Sequence, residues 1–177
     1  MQIRTRLAVS VDGFIAYPNG LPTFLAMPAF EPHSSYGWPE FSAQCQAVIL
    51  GRVALDAGLA NPTWPWPGLD VFVLTSKPLP EAIPAGRVVS DDTPEGLVAK
   101  LRGSDLEGDA FLLGGQRTVN AFLELGAIDR LELLEFPVIL GEGVPFRPPG
   151  SQQVSLELEE HHSFPDGTLH NVYSLKS

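Results

Sequence analysis

The chain has 177 residues, 44% of them hydrophobic and 18% charged, a balance that suits one globular domain with a real core and excludes a disordered chain. Eleven basic against 21 acidic residues give a formal net charge of -10, which repels a polyanion and argues against nucleic acid as a partner. No apolar run approaches the ~20 residues of a membrane span, and the lone Cys45 excludes an internal disulfide framework and suits a reducing compartment. The first residues lack the apolar core of a signal peptide. A cytoplasmic protein without a membrane partner is the expectation.

Residues 3–11, IRTRLAVSV, predict a first strand, and Asp12-Gly13 turns the chain after it. Residues 18–37 are rich in proline, glycine and serine and read as a long irregular stretch of the kind that lines sites. A short helix is expected from Pro39, with Phe41 and Cys45 on one face. The AVIL run at 47–50 is a short buried strand, and a weak helix follows from Arg52 to Leu59. The prolines of NPTWPWPG, residues 61–68, remove backbone donors and forbid both helix and central strand. DVFVLTS at 70–76 is rich in β-branched and aromatic residues and reads as a buried strand.

A short strand at 87–89 precedes Asp92-Thr93-Pro94-Glu95, a helix start with a capping side chain, an early proline and an early acid; that helix stops at Gly103. AFLLGG at 110–115 is the next strand. The helix after it shows Val119, Phe122 and Leu123 on one face and stops at Gly126. DRLELLEFPVIL at 129–140 reads as a longer strand. The tail predicts a hairpin turned at Pro165-Asp166-Gly167. Strands alternating with helices, then a hairpin, predict a single α/β domain with a mainly parallel sheet and an antiparallel edge.

Three strand ends run into polar or glycine-rich turns: VILGR at 48–52, VLTSK at 73–77 and LLGGQRT at 112–118. In open α/β sheets ligands collect at the carboxyl ends of strands, where helix N-termini present free N–H groups and partial positive charge. The turns add Arg52, then Thr75, Ser76 and Lys77, then Arg117 and Thr118. One such turn alone is explained by capping; three in one sheet point to a phosphate-binding rim. Neither a G-x-G-x-x-G fingerprint nor a Walker loop is present.

Taken together with SVDGFIA (10–16), IDRLEL (128–133) and PVILGEGVPF (137–146), these motifs resemble the dihydrofolate reductase superfamily. They are most similar to the branch that includes the reductase domain of riboflavin biosynthesis. The resemblance implies an eight-stranded, mainly parallel sheet flanked by helices, ending in an antiparallel hairpin, with NADPH as hydride donor. It implies that Gly51, Arg52 and Val53, with Leu74, Thr75, Ser76 and Lys77, surround the 2′-phosphate end of the cofactor. Gly114 and Gly115, joined by a cis peptide, would lie under the pyrophosphate, with Gln116, Arg117 and Thr118 opening the helix. Asp12 to Ala16, Ile15 included, would close over the nicotinamide, and Asp12 is the catalytic candidate; its bland reading is a turn-forming Asp-Gly.

Two departures from the folate reductases stand out. Ala54 takes the place of a threonine that bonds the pyrophosphate, and the pterin-binding acid has only the displaced Glu40 as a counterpart. Trp38, Glu40 and Phe41 are the substrate candidates, with core packing the competing role for the two aromatics. No H-x-E and P-C-x-x-C deaminase signature is present. His161 and His162 are adjacent in a strand and point to opposite faces, so no metal site is assigned; Cys45 has no activating partner in the sequence. The reading is an NADPH-dependent reductase of a small heterocyclic, pterin- or pyrimidine-like substrate, assembled as a homodimer. The alternative is a non-catalytic dinucleotide- or ligand-binding protein of the same fold.

Overall fold

A computed structural model describes residues 1–22, 35–81, 83 and 87–176. Most of the irregular stretch expected at 18–37, namely 23–34, lies outside the described residues. The strands are β1 (Ile3–Ser10), β2 (Phe14–Ala16), β3 (Cys45–Gly51), β4 (Asp70–Leu74), β5 (Val88–Asp91), β6 (Asp109–Gly114), β7 (Arg130–Phe136), β8 (Val144–Pro145), β9 (Leu156–Ser163) and β10 (Leu169–Leu175). The helices are α1 (Trp38–Ser42), α2 (Arg52–Ala60), α3 (Pro94–Arg102) and α4 (Gln116–Glu124). Eight strands form one sheet in the order β5-β4-β3-β6-β1-β7-β10-β9. Pairing is parallel from β5 to β7, and β10 and β9 add an antiparallel hairpin.

Because the central strands are covered on both faces, every side chain of Ala47–Leu50 is buried. One core, around Ile49, Phe72, Leu112 and Leu131, packs under α3 and α4 through Leu97, Leu101, Val119 and Phe122. The other, around Val48, Leu50, Val71, Val73 and Phe111, packs under α1 and α2 through Phe41 and Leu55. Thr93 caps α3 as expected, its Oγ1 accepting from the Gly96 N–H at 3.1 Å.

Three expectations need correction, and one element was not foreseen. The strand expected at 129–140 ends at Phe136, because Pro137 has no N–H to continue the ladder; Val138 instead pairs with Val11. Its outer edge is covered by β10, from Leu131↔Tyr173 to Glu135↔Leu169. The strand expected at 70–76 stops at Leu74, because Thr75 to Lys77 form a hydroxyl-stapled turn, the Lys77 N–H donating to Thr75 Oγ1 at 3.1 Å. Cys45 begins β3 rather than sharing a helix face with Phe41, α1 being only five residues long; its Sγ still lies 3.4 Å from the Phe41 carbonyl. The two-stranded sheet of β2 with β8 was not expected, since three and two residues carry no readable periodicity.

The face of β1 and β7 toward α1 carries a buried ionic cluster. Glu132, 2% exposed, accepts from Arg4 Nη2 at 2.6 Å and lies 3.2 Å from Arg6 Nε, 3.1 Å from His170 Nε2 and 3.6 Å from Arg130 Nε. Burial pushes its carboxyl up. The hydrogen bonds from His170 and Arg4 and the charges of Arg6 and Arg4 outweigh that, and hold its pKa down to about 2. A depressed carboxylate pKa contributes stability that is present above the unfolded value, near 4.5, and is lost as pH falls toward 2. Glu132→Gln leaves the arginines buried without their shared counter-charge, and should cost roughly 3–5 kcal/mol at neutral pH. Chemical denaturation of both proteins at pH 7 and pH 3 should show this gap narrowing in acid; a pH-independent gap would contradict the assignment.

Candidate functional site

The three strand ends singled out in the sequence lie side by side. Leu50 pairs with Gly114 and Gly51 pairs with Leu74, so the ends of β6, β3 and β4 form one row. The strand order reverses between β3 and β6, and such a switch point is where ligands bind open α/β sheets. The helices start at once: α2 begins at Arg52 directly after Gly51, and α4 at Gln116 directly after Gly115. Neither helix has a side-chain cap among the described residues, so the first-turn N–H groups of both suit an anion.

Close packing explains the glycines. A Cβ at Gly51 would lie 2.7 Å from Thr118 Oγ1, so α4 approaches β3 only because that side chain is missing. The Gly114–Gly115 peptide is cis, as the resemblance implies. A Cβ at Gly115 would meet nothing within 4 Å, which leaves open space over the turn on the side facing solvent.

Arg52 reaches across the row. Its Nε donates to Asp56 Oδ1 at 2.8 Å and its Nη1 to the Pro78 carbonyl at 2.8 Å, leaving Nη2 without a hydrogen-bond partner among the described residues. Ser76 and Lys77 are exposed, as is Arg117 in the first turn of α4; Thr118 is buried beneath it. Val53, 84% exposed, offers a bare apolar surface beside Arg52. Ala54 packs into the core under α2 and brings no polar group to the helix start.

Asp12 closes the other side. Its Oδ1 accepts from Ser10 Oγ at 2.6 Å and the Leu140 N–H at 3.1 Å, and its Oδ2 from the Gly141 N–H at 2.8 Å. The Ser10 hydroxyl and these two amides hold its pKa below the ordinary carboxylate value. It is therefore ionised at neutral pH with both oxygens engaged, and has no proton to give. Its geometry is that of a clamp tying the loop 137–146 to the end of β1. β2 and β8 continue the clamp, Ile15 lying half-buried and Ala16 buried between them. Gln116 Nε2 donates to the Pro145 carbonyl at 2.7 Å, which joins this loop to the start of α4.

Between these two halves the sheet opens. β1 pairs with β6 only at Ile3↔Ala110 and Arg4↔Phe111, although it stays paired to β7 as far as Ser10↔Phe136. On the α1 side of this divergence lies a cavity of about 480 Å³, mainly apolar, with Ala8, Leu113, Leu134 and Phe136 in its floor and Arg6, Tyr36 and Trp38 in its walls. Trp38, 45% exposed, stands at the mouth, edge-on to Phe111 at 5.4 Å. Phe41 is 2% exposed and packs on Phe111 and under Arg4 and Arg6, so it serves the core rather than the cavity. Glu40 is exposed and lines a smaller recess that Arg6, Tyr36 and Gly37 share, rather than the apolar cavity. Sequence reasoning passed over Tyr36, Arg6, Ala8 and Phe136. Only the strand alternation of Arg6, Ala8 and Ser10 hinted that they share a face.

If Asp12 is a clamp and not an acid, Asp12→Asn should speed hydrogen exchange at the Gly141 amide, because the NH2 that replaces Oδ2 accepts nothing while the remaining oxygen can still hold Ser10 and Leu140. The shape of any pH–rate profile should be unchanged. Loss of an ionisation from that profile would return Asp12 to the acid role.

A family model for the RibD C-terminal domain matches residues 2–170. The uncharacterized protein YwjB of Bacillus subtilis (strain 168) is 27% identical over 160 residues, 89% of each chain. YyaP of the same organism is 26% identical over 178 residues, covering 94% of this chain and 91% of its own. Among solved structures, a Shewanella sp. PV-4 protein assigned provisionally to riboflavin biosynthesis superposes over the whole of both chains, with TM-score 0.81 at 24% identity. The diaminohydroxyphosphoribosylaminopyrimidine deaminase/5-amino-6-(5-phosphoribosylamino)uracil reductase of Thermotoga maritima aligns with 99% of this chain and 56% of its own, with TM-score 0.74 at 16% identity. These likenesses establish the dihydrofolate-reductase-like fold, and the match of the family model over nearly the full length goes further: the chain belongs to the RibD C-terminal domain family.

Proposed function

We propose that the protein is an NADPH-dependent reductase of a small heterocyclic substrate, pterin- or pyrimidine-like, working in the cytoplasm. The observation that carries this reading is the adjacency of two half-sites: an anion-ready row at the ends of β6, β3 and β4, and an aromatic-walled cavity where β1 leaves β6. The row suits the cofactor. Gly114 and Gly115 would lie under the pyrophosphate, with the α4 amides and Arg117 beside it, and Arg52 Nη2, Thr75, Ser76 and Lys77 would take the 2′-phosphate. Val53 would meet the adenine. The bound cofactor supplies a hydride; the chain's work is to orient the substrate and keep water off the reacting face. The Asp12 clamp holds the lid at 137–146, and the proton comes from water.

A second reading, a ligand-binding protein without turnover, is favoured by one observation. Among the described residues lining the cavity, only Arg6 is charged, and an arginine does not give up its proton. NADPH oxidation measured against a panel of oxidised pterins and pyrimidines separates the two: turnover supports the reductase, and binding without turnover across the panel supports the rival.

Cofactor titration tests the row directly. Arg52→Ala should weaken NADPH by about tenfold or more and leave NADH nearly unchanged, since a charge-assisted bond is worth roughly 1.5–3 kcal/mol. Gly115→Ala meets no atom of the described residues within 4 Å, so it should lose both cofactors while the fold persists. Equal loss of NADPH and NADH in Arg52→Ala would remove Arg52 from the 2′-phosphate.

The homodimer is part of the proposal on family grounds. Pairing through the outermost strand β9 is opposed by Glu157, Glu159 and Glu160, all exposed along it. Sedimentation at micromolar concentration should give a dimer that persists when these glutamates are kept; a monomer would end the idea.

A further inference from the structure

All eleven lysines and arginines fall within the described residues. Arg4, Arg6 and Arg130 face Glu132, Arg87 pairs with Asp70 and Asp105, and Lys100 pairs with Asp91. Arg147 is held by Asn120 and the Gln152 carbonyl, Arg102 ends α3 on the opposite face of the sheet from α1, and Lys176 follows β10. Arg52, Lys77 and Arg117 belong to the row of strand ends. Only Arg6 lines the apolar cavity, and its guanidinium is committed elsewhere. Its Nε lies 3.2 Å from Glu132 Oε2, its Nη1 is buried, and its tip lies against Gly37, where a Cβ would stand 3.5 Å from Nη2. No lysine or arginine is therefore open to a ligand in this cavity.

A second pocket, of about 260 Å³, lies beside the first, and the two share Trp38, Phe111 and Leu113. Its outer wall is Pro65, Trp66 and Pro67 of the NPTWPWPG stretch. That wall is well fixed. Trp64 Nε1 donates to the Trp66 carbonyl at 3.1 Å, and the two indoles meet edge-on at 5.0 Å. Trp66 packs against α2 at Gly58, where a Cβ would come within 2.6 Å of its ring. The polar groups in the lining are turned to α1 carbonyls: Ser42 Oγ donates to Pro39 at 3.2 Å, and Cys45 Sγ lies 3.4 Å from Phe41. Leu113 directly precedes Gly114, so both pockets border the end of β6.

We infer that the two pockets form one groove divided by the Trp38 indole, which takes an uncharged ring bearing an apolar arm and no phosphate. The ring lies over Ala8 and Leu113 in the larger cavity, and the arm reaches past Trp38 to Trp66. Apolar walls on both sides reward the burial of such an arm. A phosphate here would lose its hydration and meet no counter-charge. This specificity rests on the cavity being the substrate half of the proposed reductase, and it narrows the substrate to an unphosphorylated heterocycle with an apolar substituent.

Calorimetric titration of the full chain with uracil, 5-benzyluracil and 6-benzyluracil, in the absence of NADPH, tests the inference on the unmodified protein. At least one benzyl isomer should bind about tenfold or more tighter than uracil, the scale of burying one aromatic ring. Uridine 5′-phosphate should displace that isomer no better than uracil does. Ser42→Leu, checked for folding by circular dichroism, should erase the gain, because the longer side chain fills the second pocket. Both isomers binding no tighter than uracil would overturn the inference. So would a gain that survives in folded Ser42→Leu, or displacement by uridine 5′-phosphate that exceeds displacement by uracil. NADPH is titrated separately. Intact NADPH binding without a benzyl gain would sink the apolar-arm inference alone, whereas a benzyl gain without NADPH binding would sink the reductase reading alone.

Discussion

The register between β3 and its two neighbours is the constraint on which the rest depends. Leu50 opposite Gly114 and Gly51 opposite Leu74 bring three carboxyl ends level at the point where strand order reverses. Level ends alone would make an ordinary sheet rim. The row is suited to an anion because two helices begin without connecting loops, so that their first-turn amides stand at the strand ends. That economy depends on Gly51, where any side chain would strike Thr118. A net charge of -10 makes the local concentration of donors more telling, since nothing in the overall charge draws an anion to this chain.

The second half of the site comes from a failure of pairing. β1 keeps its ladder with β7 throughout but leaves β6 after its first residues, and the resulting cleft is walled by side chains that a fully paired sheet would bury. The residues below the cleft absorb the consequence. Arg4 and Arg6 emerge on the same face of β1 as Ala8, and Glu132 on the neighbouring strand neutralises them. The ionic cluster therefore does two things: it supports α1 through the guanidinium groups stacked on Phe41, and it sets the polarity of the cavity wall.

The row of strand ends was legible in the sequence because each piece is local: a buried run, a glycine, then a cation or hydroxyl. Helix α4 was legible for the same reason, its apolar face repeating at helical spacing through Val119, Phe122 and Leu123. The cavity was not. Arg6, Tyr36 and Phe136 come from separate segments, and their convergence depends on which strand pairs with which. β7 was read too long because Val138 and Ile139 continue an apolar pattern that Pro137 interrupts only at the level of hydrogen bonding. Asp12 shows the limit most clearly. The sequence places an acid beside the expected nicotinamide, but the amides that occupy it come from Leu140 and Gly141, far along the chain. Glu40 and Phe41, paired in the sequence with Trp38 as substrate contacts, part company in three dimensions: only Trp38 faces the apolar cavity.

In the proposed reductase, cofactor and substrate meet across the gap between β6 and β1. A crystal structure of the protein with NADP+ would decide this. The 2′-phosphate should lie within hydrogen-bond distance of Arg52 and Thr75, the pyrophosphate across Gly114 and Gly115, and the nicotinamide at the mouth of the cavity beside Trp38. A cofactor bound away from the three strand ends, or a nicotinamide pointing away from that cavity, would contradict this arrangement.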